Sequence, residues 1–177
     1  MATDIGDTVD VWNWWAHRTN FLGYTDDLYL SDDGFHGDTG DSSNILNLLG
    51  TKPKYVDILD PGMNSDYLLD SLWVTIVPFS ANFAWEGGNT VPGYILHKPT
   101  DARGDIRARA IHENGMWTME IRRRLITAKD PKSPDVEFNP EANANVDFHI
   151  AVFDNSHGKN HALSTQVHVL HFLQLNK

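Results

Sequence analysis

The side chains best able to hold a metal here are 9 His, 4 Met and 24 Asp plus Glu, because the 177-residue chain has no cysteine. That absence removes disulfides, thiolate zinc sites, iron–sulfur ligation and covalently attached c-type haem. Histidine is therefore the residue type to follow. His157 and His161 lie in NSHGKNHALS (155–164), a loop straight after an apolar strand. Loops held by a rigid sheet are where ligands are commonly placed. His17 follows the aromatic run of Trp12, Trp14 and Trp15. His36 sits in GFHGD, whose glycines permit close approach of backbone to a ligand, and Met63 offers a thioether from the turn-like DPGMNSD. Each has an ordinary alternative: a loop histidine in water, a histidine bonded to a backbone carbonyl beside core tryptophans, a methionine capping the core. His168 and His171 fall on opposite faces of the last strand and cannot share one pocket.

Two charged groupings stand beside the histidines. The segment TDDLYLSDDGFHGDTGD (25–41) carries Asp26, Asp27, Asp32, Asp33, Asp38 and Asp41. Oxygen-rich loops of this sort can coordinate Ca²⁺, which takes about 6–8 oxygens, although the spacing is not that of an EF-hand and a solvated acidic loop is the plain reading. Arg103, Arg107 and Arg109 form an alternating basic row, with Arg122, Arg123 and Arg124 on the facing strand. Directly opposed like charges cost stability, so this row needs anionic company. Hydrolase and phosphate-binding signatures are absent: there is no G-x-S-x-G, no H-E-x-x-H and no phosphate-cradling glycine loop.

The elements that must position these residues are strands. Apolar alternation marks 9–15, 72–79, 105–111, 116–125, 148–153 and 167–175, and Asn114-Gly115 between two of them is the strongest hairpin signal in the chain. Turn-rich loops are expected at 31–44 and 127–145, and short helices at 44–49 and 65–71. With no βαβ rhythm, the pattern predicts an all-β chain, a single antiparallel β-sandwich domain over 1–177 with long loops and one or two short helices.

Composition narrows the function. Hydrophobic residues at 41% and charged residues at 21% lie close to the globular average, which argues against wholesale disorder. A formal net charge of −10 argues against a nucleic-acid partner, which needs clustered basic surface. No apolar run approaches the roughly 20 residues that a helical membrane span needs. Met1 is followed by polar, acidic sequence rather than by the basic and apolar regions of a secretory signal.

The order of the segments adds what no single motif does: VDVWNWWAHRTNFLGYTDD, VPGYILHKPTDARGDIRARA, GMWTMEIRRRLIT, DVEF and FHIAVFDNSHGKNHALS. This succession resembles the ethylbenzene-dehydrogenase-type haem-binding domain, the γ subunit of type II dimethyl-sulfoxide-reductase-like molybdenum enzymes and a module of larger cytochromes. The resemblance implies a β-sandwich that holds one b-type haem non-covalently and passes single electrons, without itself making or breaking a substrate bond. It implies a periplasmic or extracytoplasmic setting. The implied partner is a redox protein or a molybdenum catalytic subunit, and an acidic surface suits a basic docking face.

In that family the iron is held by a Met and a Lys. The Lys position falls on or near His161, two residues from Lys159, and imidazole is the stronger and commoner iron ligand. The family's Met lies upstream of VDVWNWW, in sequence this chain barely has. That leaves His17, His36 or Met63 for the other face of the iron, and it reads as an excised domain of a longer cytochrome. By the same resemblance Trp14 belongs to the apolar wall and Arg103 or Arg107 to the propionates. A rival expectation is a carbohydrate-binding-module-like sandwich whose six tryptophans include a sugar platform. A third is a domain that kept the fold without haem and serves assembly.

Overall fold

The computed structural model describes residues 8–59, 67–69, 75–127, 135–140, 145–154 and 160–172. The chain forms two compact units, Met1–Asp135 and Val136–Lys177. In the first, β1 (Val9–Asn13), β2 (Asp26–Ser31) and β3 (Gly34–Gly37) make an antiparallel meander. Its register pairs Asp10 with Tyr29, Trp12 with Asp27 and Tyr29 with His36. Paired residues of an antiparallel ladder point to the same side, so these five share one face. A single helical turn, α1 (Thr19–Leu22), links β1 to β2 and ends at Gly23, whose φ of 76° is the left-handed conformation that closes a helix.

Four short strands, β4 (Asn44–Leu46), β5 (Tyr55–Asp57), β6 (Tyr67–Leu69) and β7 (Ile76–Pro78), precede β8 (Tyr94–Leu96). β8 runs antiparallel to β4 and parallel to β6, while β5 pairs with β7. Leu68, Ile76 and Ile95 pack together here, with Tyr55 against them. Asn47 fastens this region: its amide donates to the carbonyls of Tyr55 and Pro92 at 3.0 and 2.9 Å and accepts from the Tyr55 N–H at 2.9 Å. After a 3₁₀ turn at Asp101–Gly104 come β9 (Arg107–Glu113) and β10 (Met116–Arg122). They are joined by Asn114 and Gly115 at φ 52° and 77°, the left-handed pair that a tight two-residue hairpin requires. In the second unit β11 (Asn145–Phe148) pairs with β14 (His168–His171), and β12 (Ala151–Val152) with β13 (Ala162–Leu163).

The all-β class read from the sequence holds, with antiparallel pairing in every sheet and one parallel pair among the described residues, while the short helices lie elsewhere than expected. Residues 44–46 form strand β4 because β8 offers a ladder and because a segment this short cannot nucleate a helix alone. Tyr67–Leu69, inside the second expected helix, is strand β6. The expected loop at 31–44 contains β3, and the single expected strand at 148–153 is divided between β11 and β12.

Candidate functional site

The turn after β1 is locked by its own backbone. The Trp15 N–H donates to the Thr19 hydroxyl at 2.7 Å, and that hydroxyl donates back to the Trp15 carbonyl at 3.2 Å. Arg18 and Asn20 N–H groups also reach the Trp15 carbonyl. The Asn20 amide then bonds Ala110 in both directions, at 3.0 and 2.7 Å, anchoring α1 to β9. This rigid turn presents His17 and Arg18 to a cleft of about 440 Å³, completed by Asn44, Tyr67, residues 90–94 and Leu96. The volume lies within the range of about 300–1,000 Å³ typical of small-molecule sites. The Arg18 guanidinium lies 4.6 Å from the Trp15 ring centroid and 5.1 Å from that of Tyr94, which fixes a cation at the edge of the cleft.

Trp14 stands just outside β1, edge-to-face with Trp117 of β10 at 5.3 Å. Its buried indole N–H has no acceptor among the described residues. His36 stacks on Tyr29 at 5.0 Å and meets Asp33 at 2.9 Å, so it is part of the β2–β3 hairpin rather than of the His17 cleft. The Ser31 hydroxyl, then His36, hold the Asp33 carboxyl below its ordinary range. In the second unit His161 is exposed, with its ring 4.9 Å from that of Phe153. His168 lies beside Phe148, and His171 bonds Asn145 at 2.6 Å on the other face. Met63, His157 and Lys159 lie outside the described residues.

The arginine row finds carboxylates within the chain. Arg103 sits against Gly37, at a place a Cβ would fill, and pairs with Asp26 at 3.5 Å. Asp26 also accepts from the Ser43 N–H and hydroxyl at 2.9 and 2.7 Å. Arg107 covers the Tyr24 ring at 3.7 Å, and Arg109 stands opposite Glu120 on the hairpin. Arg123, its side chain only 2% exposed, bonds Asp10 at 3.0 Å and Thr127 at 3.1 Å, with Asp135 at 3.8 Å and the Trp12 ring at 5.3 Å. Beside it Asp27 is fully buried. Burial, then the charges of Asp10, Asp38, Asp105 and Asp135, push the Asp27 carboxyl up to about 10. Burial also raises Asp105.

Sequence reading picked out Asp27 and Asp38 within one acidic segment, but it missed Asp105 and Asp135, which the fold brings to Asp27 from far along the chain. The remaining acids of that segment disperse. Asp26 goes to Ser43 and Arg103, Asp33 to Ser31 and His36, and the Asp41 N–H to the Thr100 hydroxyl. Alternation along β2 sends Asp26 and Asp27 to opposite faces, but no local signal announces which distant residues each one meets there.

Compared with known families, residues 1–164 match the ethylbenzene dehydrogenase family. The chain belongs to that family. No curated protein and no solved structure matches it significantly.

Proposed function

We propose that this member of the ethylbenzene dehydrogenase family is an electron-transfer module that holds a b-type haem without covalent attachment. The observation that carries the reading is the family match over 164 of the 177 residues. The His17 cleft supports it with a suitable donor set. It offers an imidazole for iron, walls from Tyr67, Tyr94, Val91, Pro92 and Leu96 for an apolar ring, and Arg18 for a carboxylate tail. The unaccompanied Trp14 N–H is a further donor close in sequence. His161 supports the reading separately, as an exposed imidazole beside the Phe153 ring.

Bound haem supplies one-electron exchange between ferrous and ferric iron. The chain's own residues do the rest. In the first unit His17 would be the imidazole donor, Arg18 would orient an acidic edge, and the tyrosine and aliphatic walls would exclude water and so tune the potential; His161, in the second unit, is the alternative donor. Arg103 is already committed to Asp26, so Arg18 is the better placed cation for a propionate. The partner is a molybdenum catalytic subunit or another redox protein, in an extracytoplasmic setting. Among the described residues no helix is long and apolar enough to cross a membrane.

The test is haem titration of the full chain followed in the Soret region, repeated on His161→Ala and His17→Ala. The expected result is stoichiometric binding with a Soret shift, and a changed spectrum or affinity in at least one variant. Absence of a Soret shift on titration overturns the proposal, and glycan binding by the same preparation would favour the sugar-platform alternative. Haem binding with both variants unchanged overturns the ligand assignment.

A further inference from the structure

The face of the β1–β2–β3 meander that carries Trp12 and Asp27 is covered by carboxylates. One oxygen from each of Asp27, Asp105 and Asp135 lies within 4.8 Å of the others. Acidic side chains gather on many surfaces, where water separates their charges; this group differs in burial. Asp27 has no exposed area, and neither of its oxygens meets a donor among the described residues. One buried oxygen of Asp105 also lacks a donor. Asp27 and Asp105 face each other acceptor to acceptor, a contact that only a proton or a cation can bridge. Asp10 and Asp38 add to the same negative field, and Arg123, the cation bonded here, is engaged by Asp10 and Asp135. Buried carboxylates persist when they are paired, protonated or bound to metal.

We infer that Asp27, Asp105 and Asp135 form a Ca²⁺ site that ties strand β2, the segment after the 3₁₀ turn and the end of the first unit to one ion. The donor set is all oxygen and anionic, which selects a hard cation over zinc, copper or iron. Ligands at about 2.3–2.6 Å from one Ca²⁺ stand at most roughly 4.6–5.2 Å apart, so three oxygens within 4.8 Å of one another can share one ion, and Ca²⁺ tolerates an irregular set of carboxylates where Mg²⁺ demands a near-ideal octahedron. Water and backbone carbonyls complete the shell. The site is separate from the haem reading: none of its three carboxylates lines the His17 cleft, and the inference stands whether or not haem binds.

Trp12 provides the probe, since its cross-strand partner is Asp27, with Cβ atoms about 4.5–5.5 Å apart in such pairs. Tb³⁺ added to the full chain after chelation should give indole-sensitised emission that Ca²⁺ displaces at least tenfold more effectively than Mg²⁺. Ca²⁺ alone should raise the melting temperature of the chelated protein. Asp27→Asn mimics the protonated acid, so it should stay folded in chelator while losing the Tb³⁺ signal and the Ca²⁺-dependent shift. Asp105→Asn should weaken both at least tenfold. Wild-type protein with no Tb³⁺ emission and no Ca²⁺-dependent melting shift overturns the inference, leaving a shared proton between Asp27 and Asp105. Undiminished emission in both variants also overturns it, by placing the ion elsewhere.

Discussion

Replacing Arg123 with Met should destabilise the protein far more than any other arginine of the basic row. The guanidinium is 2% exposed and bonds Asp10, itself 6% exposed, at 3.0 Å, with Asp135 beyond at 3.8 Å. Methionine keeps most of the volume, so what is lost is the charge and its hydrogen bonds. Removing one partner of a buried ion pair costs about 3–5 kcal/mol, because the other charge stays buried without compensation. Loss of the contact with the Trp12 ring adds up to about 1 kcal/mol. For a chain of this size each kcal/mol lowers the melting temperature by about 2–4 °C, so a fall of roughly 6–24 °C is expected.

The control is Arg109→Ala, whose side chain lies on the exposed face of the hairpin opposite Glu120; an exposed pair of this kind is worth about 0–1 kcal/mol. Urea denaturation followed by far-ultraviolet circular dichroism measures both. Asp10→Asn alone and combined with Arg123→Met completes a double-mutant cycle, in which a coupling above about 1 kcal/mol is expected. If Arg123→Met costs no more than Arg109→Ala, or if the cycle closes without coupling, the buried pair does not hold this region together and the reasoning fails.

Other outcomes follow from the same geometry. Asp27 is pushed up to about 10 from an ordinary 3.8, so folding favours its protonated form. That contribution is complete below the unfolded value and is lost as pH rises through the folded one. In chelator, the urea midpoint should therefore fall between about pH 5 and about pH 9, and Asp27→Asn should flatten the slope. Gly115→Ala puts a Cβ at a φ of 77° in open space, so backbone strain alone should cost about 1–2 kcal/mol in the same denaturation assay. Asn47→Ala strands the Tyr55 and Pro92 backbone groups, each at about 1–3 kcal/mol if left unsatisfied in the interior. Hydrogen exchange at the Tyr55 amide should accelerate before the global midpoint moves.

Class and hairpin were legible because their signals are local. Asn114-Gly115 specifies its own turn, and alternation in 105–111 and 116–125 specifies which residues share a face. The strand at 44–46 was not legible, since its partner β8 lies some fifty positions along the chain and nothing in its own residues announces the pairing. The candidate sites divide in the same way. His17 was visible from the tryptophans before it, yet Arg18, Tyr67 and Tyr94, which make a cleft around it, come together only through folding. An acidic segment was visible; that Asp27 alone of it would meet Asp105 and Asp135 depends on strand register and on the 3₁₀ turn.

The buried acids also change what the composition implies about a redox partner. A formal charge of −10 suggests a strongly negative surface, but Asp26, Asp27, Asp38 and Asp57 are all buried, and Asp10 pairs with an equally buried Arg123. A divalent ion at Asp27 would bring the formal charge from −10 to −8 without touching the surface at all. The field that a basic docking face meets comes instead from exposed carboxylates such as Asp32 and Asp33 at the β2–β3 turn, Asp41 and Asp101. Of these, Asp33 is held in place by Ser31 and His36, which fixes its charge in one direction. Steering by exposed charges is short-ranged, fading over about 8 Å at physiological salt. Buried Asp27 therefore adds little to the field that a basic partner meets, and neutralising it should leave such a partner's association rate unchanged, where neutralising exposed Asp32 and Asp33 together slows it.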